Sequence, residues 1–75
     1  MSKNNVKLRM SDIRRIEAKN NVFLVELRLT HKNPTQRFNV FNSTSRTEEF
    51  IGFVEAQELF FGEDELEKEI RKLFA

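Results

Sequence analysis

With 75 residues, no cysteine and one histidine, the chain has no disulfide, no thiolate metal site and no multi-histidine centre. Its balance of 39% apolar and 33% charged residues is globular rather than disordered, and no stretch approaches the ~18 apolar residues of a membrane-spanning helix. A net charge of +1 hides a segregation: residues 1–47 carry ten Lys and Arg against three acids (+7), residues 48–75 three against nine (−6).

The opening MSKNNVKLRM lacks the apolar run of a secretory signal, so residues 1–5 are read as a flexible start and the chain as cytoplasmic. Val6, Leu8, Met10, Ile16 and Ala18 then share one parity, interrupted by Asp12 and Arg14. This predicts one kinked strand or two short ones over 6–18. Ser11-Asp12 offers an alternative, the cap of a short helix carrying Ile13 and Ile16. Asn20-Asn21 suits a two-residue turn, because Asn tolerates left-handed backbone angles.

VFLVELRLTH, residues 22–31, is the clearest strand. Phe23, Val25, Leu27 and Leu29 fall on one face, expected to be the core face. Val22, Leu24, Glu26, Arg28 and Thr30 fall on the other. Asn33-Pro34 marks a turn. RFNVFNS alternates again, Phe38 and Val40 against Arg37, Asn39 and Phe41. A β-hairpin over 22–43 follows.

EEFIGFVEAQELFF, residues 48–61, is ambiguous between strand and helix. Phe50, Phe53, Val54, Gln57, Phe60 and Phe61 lie at i, i+3, i+4, i+7, i+10 and i+11, one helical stripe with a polar intruder. Ser45-Arg46-Thr47-Glu48 has the capping-box form, and Gly62 stands where a helix would end. Gly52 opposes the helix by ~1 kcal/mol. The pattern predicts a helix. GEDELEKEIRKLFA predicts a second, with Leu66, Ile70, Leu73 and Phe74 on one face, acids in its first turn and bases in its last. The expected fold is thus α+β: a three-stranded antiparallel β-sheet, a meander, followed by two C-terminal α-helices packed on one face. Residues 1–75 form a single domain, with a β-sheet region at 6–43 and a helical region at 46–74.

Chemistry is scarce. His31 and the hydroxyls of NSTSRT approach each other only around a hairpin, which is no basis for a nucleophilic triad, and His31 reads as a surface or half-buried structural histidine at a strand end. Glu63, Asp64 and Glu65 lack the alternating ligands of a calcium loop. Two glycines cannot build a phosphate-binding loop. Asn42-Ser43-Thr44 matches a glycosylation triplet that a cytoplasmic chain would not use. The hydroxyls and acids of TSRTEEF, open to a kinase, are accounted for by a helix cap. No enzyme activity, cofactor, metal or small-molecule substrate is expected.

Two surfaces remain. Lys7, Arg9, Arg15, Arg28 and Arg37, with Phe41 among them, form a candidate basic face on the outer side of the sheet. It suits single-stranded nucleic acid, whose bases stack on aromatics while Lys and Arg meet phosphate; a charged face turned simply to solvent explains it equally. Val22, Leu24, Ile51 and Leu59 form a candidate apolar interface. Eight Phe in a chain whose monomer is marginal for its size favour a partner or a second copy. The leading expectation is a small non-enzymatic regulator or inhibitor acting through protein–protein contact, as a homodimer. A nucleic-acid-binding module is the alternative, and an acidic helical surface mimicking nucleic acid ranks third.

Overall fold

The structure, a computed structural model, describes residues 7–27, 30–44 and 49–75. The elements run α1 (Met10–Asn20), β1 (Val22–Leu27), β2 (Arg37–Asn42), β3 (Glu49–Glu55) and α2 (Glu63–Leu73). The strands form an antiparallel sheet in the order β1-β2-β3. The order of elements therefore corrects the sequence expectation: helices stand at both ends of the sheet, one before and one after it.

The region 6–18 is helical from Met10, not a strand. Ile13 and Ile16 are spaced for one helical face and are 5% and 2% exposed. The charges that broke the strand alternation pair at helical spacing, Arg15 with Asp12 at 3.1 Å and Arg14 with Glu17 at 3.3 Å. The start is set by Arg9, whose N–H donates to Asp12 Oδ2 at 3.3 Å, so Asp12 serves at N3 rather than as the cap. Asn21 ends the helix at φ 56°, and its N–H returns to the Glu17 carbonyl.

The hairpin forms with Leu24 opposite Val40 and Glu26 opposite Phe38. Its first strand is turned over relative to expectation: Val22 and Leu24 are buried, while Val25 is 38% exposed. Alternation fixes which residues share a face but carries no sign. The sign is set by α1, which ends one residue before β1 and lies over the Val22–Leu24 side.

Residues 49–55 are a strand, so the helix expected over 46–61 is absent. Phe38 pairs with Val54 and Val40 with Gly52, and a bulge separates these from the Phe41–Phe50 pair. The helical stripe was a coincidence of spacing: Val54 and Phe61 enter the core, whereas Phe50 and Phe53 face away from it. Gly52 also fits the strand, because a Cβ there would lie 3.3 Å from Leu73 of α2. The capping-box stretch at 45–48, like Arg28, Leu29 and the start at 1–5, lies outside the described residues.

α2 matches its sequence pattern in Leu66 and Ile70, fully buried, and Leu73, which packs against the core, whereas Phe74, expected on the same face, follows the helix end and is 50% exposed. Both helices cover the same sheet face. One core joins Ile13 and Ile16, Val22, Leu24, Phe38, Val40 and Val54, Ala56 and Phe61, and Leu66 and Ile70. The segregated charges meet between the helices. Arg15 pairs with Glu63, Lys19 with Glu67 at 3.4 Å, and Asn20 Nδ2 donates to Glu67 Oε2 at 3.2 Å. Bonding from Asn20, followed by the charge of Lys19, holds the Glu67 carboxyl below its ordinary range despite partial desolvation. Part of the charge segregation is therefore neutralised within the fold.

Candidate protein-interaction face

The helices cover one side of the sheet and leave the other open. The strand register sorts the open side into three rows. Phe23, Phe41 and Phe50 form the first, Val25, Asn39 and Phe53 the second, and Leu27, Arg37 and Glu55 the third. Phe41 is central to the aromatic row: its ring centroid lies 6.3 Å from that of Phe23 and 5.5 Å from that of Phe50, the latter edge-on. Such pairs hold their geometry by ring quadrupoles as well as by area. Phe50 and Phe53 are nevertheless 56% and 51% exposed. Tyr and Trp would offer a polar tip to solvent; Phe offers none.

Asn39 interrupts the second row, and an ion pair occupies the third. The Arg37 guanidinium sits 4.8 Å above the Phe53 ring and donates from Nη2 to Glu55 Oε1 at 3.1 Å. The Thr35 hydroxyl also donates to Glu55. That hydroxyl first, and Arg37 second, hold the Glu55 carboxyl below its ordinary range. Because this pKa is depressed in the folded state, the stabilising effect is present above the ordinary carboxylate pKa. It is lost as pH falls through the lowered value. Thr35→Val is expected to move the Glu55 pKa back up toward the ordinary carboxylate value, read from the side-chain carboxyl carbon shift in an NMR titration. An unmoved midpoint would assign the shift to Arg37 alone.

The residues expected to make a basic face do not gather. Arg37 and Phe41 lie on the open side. Lys7 is near β1 and pairs with Glu26 at 3.3 Å, on the side of the sheet that carries the core. Arg9 caps α1, and Arg15 projects from α1 to Asp12 and Glu63. The expected apolar interface is dispersed too. Val22 and Leu24 belong to the core, Ile51 packs against it, and Leu59 is 48% exposed in the connection after β3. The aromatic cluster was missed because three of its members were assigned elsewhere, Phe23 to the core and Phe50 and Phe53 to a helix. A strand reading alone would not have joined Phe50 and Phe53, which have opposite parity and share a face only because of the bulge between them.

His31 is exposed in a shallow depression with Thr30, Pro34 and Leu59. The triplet at 42–44 is a local turn in which Asn42 Oδ1 accepts from the Thr44 N–H at 2.9 Å and from its hydroxyl. Glu63 and Glu65 are engaged, with Arg15 and with the Gln57 N–H respectively. Among the described residues no group of acids and histidine is arranged to hold a metal, and no helix is long and apolar enough to cross a membrane. No protein-family model, curated protein or solved structure matches the chain.

Proposed function

We propose that the chain is a small non-enzymatic regulator or inhibitor that works by protein–protein contact, its open sheet face docking on a second copy of itself. The observation that carries this reading is the aromatic face of Phe23, Phe41, Phe50 and Phe53, left bare while both helices cover the other side. Phe50, Phe53 and Val25 alone leave roughly 300 Å² of side chain exposed, at the scale where a patch on a monomer is often functional. The face suits a two-fold partner. Arg37 and Glu55 are paired with each other at its margin, so that side of the face brings no uncompensated charge against a second copy. Paired faces would bury about 1,000 Å² in total, at the low end for specific interfaces and in keeping with a weak, reversible dimer.

Sedimentation velocity across a concentration series tests this. A reversible dimer is expected for the native chain and a monomer for the Phe50→Ser, Phe53→Ser double variant. Both residues are half exposed, so the variant should keep its far-UV CD spectrum and cooperative unfolding. A native chain that stays monomeric at ~1 mM would overturn the proposal, since a dimer weaker than that is not a specific one. Single-stranded nucleic acid has weaker support: the only described base on the face, Arg37, is engaged with Glu55 and stacked on Phe53. Oligonucleotide anisotropy at low salt is expected to show no binding. A salt-dependent affinity would instead favour the nucleic-acid reading.

A further inference from the structure

The two edges of the sheet are treated differently. β1 and β3 are both edge strands, and each has outward-pointing backbone groups. At β1 the outward N–H of Leu24 is taken by Glu17 of α1, whose Oε2 accepts it at 2.9 Å. Glu17 is only 9% exposed, so this carboxylate is built into the edge. At β3, Gln36 accepts from the Ala56 N–H, and the same phase carries the Phe38–Val54 and Val40–Gly52 pairs. The N–H and C=O groups of Phe53 and Glu55 therefore point outward, and among the described residues nothing bonds to those amides. β3 also contains neither Lys nor Pro, two common guards of an exposed edge, and its bulge lies at Ile51, ahead of Phe53 and Glu55.

We propose that the β3 edge accepts an extended segment of a partner protein as a fourth strand, and that this segment has an apolar centre flanked by basic residues. Charge selects the occupant. β3 begins and ends in Glu49 and Glu55, the latter shared with Arg37, and the groove beyond its C-terminal end carries more acids, Asp64 and Glu65 among them, than bases. A second copy is a poor occupant of this edge. It brings the same two acids, Glu49 and Glu55, and β3 has no base of its own to meet them. A strand with Lys or Arg at each end meets an acid at both ends in either direction. Its alternate side chains extend the Phe50–Phe53 surface, while the main-chain ladder supplies affinity.

The test is an NMR titration of the isotopically labelled chain with a short blocked peptide of alternating Val and Thr carrying Lys at both ends. Amide shifts and slowed hydrogen exchange are expected at Phe53 and Glu55, with a dissociation constant at or below the millimolar range. Three comparisons should each weaken binding at least tenfold: Glu replacing the peptide's Lys, N-methylation of its alternate amides, and Glu49→Lys in the protein. An unresponsive β3, equal binding of the acid-flanked peptide, or indifference to N-methylation would overturn the proposal. So would β3 amides that respond to dilution and not to peptide, since that outcome assigns the edge to a second copy. Dimerisation through the aromatic face is read separately by sedimentation, so either idea can fail alone.

Discussion

Phe61→Ala is expected to leave the chain largely unfolded at 25 °C. Phe61 is fully buried, its ring centroid 6.0 Å from that of Phe38, itself 1% exposed. The pair bridges the sheet and the segment that leads into α2. Truncating a buried Phe costs about 3–5 kcal/mol in lost transfer energy and residual cavity. A small single-core domain often has little more than that in total. Urea unfolding followed by far-UV CD is the measurement. The expected result is loss of the folded baseline, or a midpoint shifted to near zero denaturant; a loss under ~1 kcal/mol would mean that the site collapses around Ala. Phe50→Ala is the natural control. It removes the same side chain from a 56% exposed position and should change stability far less.

Gln36→Leu is expected to cost about 2–3 kcal/mol although Leu is the more apolar residue. Gln36 is a fully buried amide with every group engaged. Its Oε1 accepts from the Phe61 N–H at 3.1 Å, and its Nε2 donates to Glu26 Oε2 at 3.0 Å. Its backbone N–H reaches the Leu59 carbonyl at 2.8 Å, and its carbonyl accepts from the Ala56 N–H at 2.9 Å. The two backbone bonds survive substitution. The two side-chain bonds do not, and the Phe61 N–H becomes a buried donor without an acceptor. Glu26 keeps Lys7, which limits the loss on that side. Chemical denaturation gives the size of the effect, and hydrogen exchange gives its place: the Phe61 amide should lose protection by a larger factor than the amides of β2. A neutral or stabilising result would mean that packing of Leu in the site outweighs the lost bonds.

The β1–β2 hairpin and α2 were legible because each has a period that only one element satisfies. The two remaining elements show what a single chain conceals. In residues 10–20 the parity of Leu8, Met10, Ile16 and Ala18 competed with the spacing of Ile13 and Ile16, and the pairs Asp12–Arg15 and Arg14–Glu17 were the decisive signal. They are local and readable, but they carry weight only once a helix is considered. In residues 49–55 the strand depends on β2 being there to bond with, which no local pattern states. The Phe residues of this stretch misled because they serve opposite environments, Phe61 inside and Phe50 and Phe53 outside. A hydrophobic stripe read as one face assumes that all of its members are buried together. The open sheet face thus emerged only when β3 was in place and α1 had fixed which side of β1 turns inward. Gln36 shows the limit from the polar side, since nothing in Pro34-Thr35-Gln36 distinguishes a structural amide from a loop residue.

The location of α2 bears on how the protein is made. Leu66 and Ile70 fill the core from the last element of the chain, so during synthesis the strands emerge from the ribosome before their lid exists. Until it arrives, α1 shields only the β1 end, and the rest of the sheet is greasy on both sides, with Val40 and Val54 as naked as Phe50 and Phe53. A stop codon anywhere before Leu66 would yield a fragment prone to clump, however sound its strands.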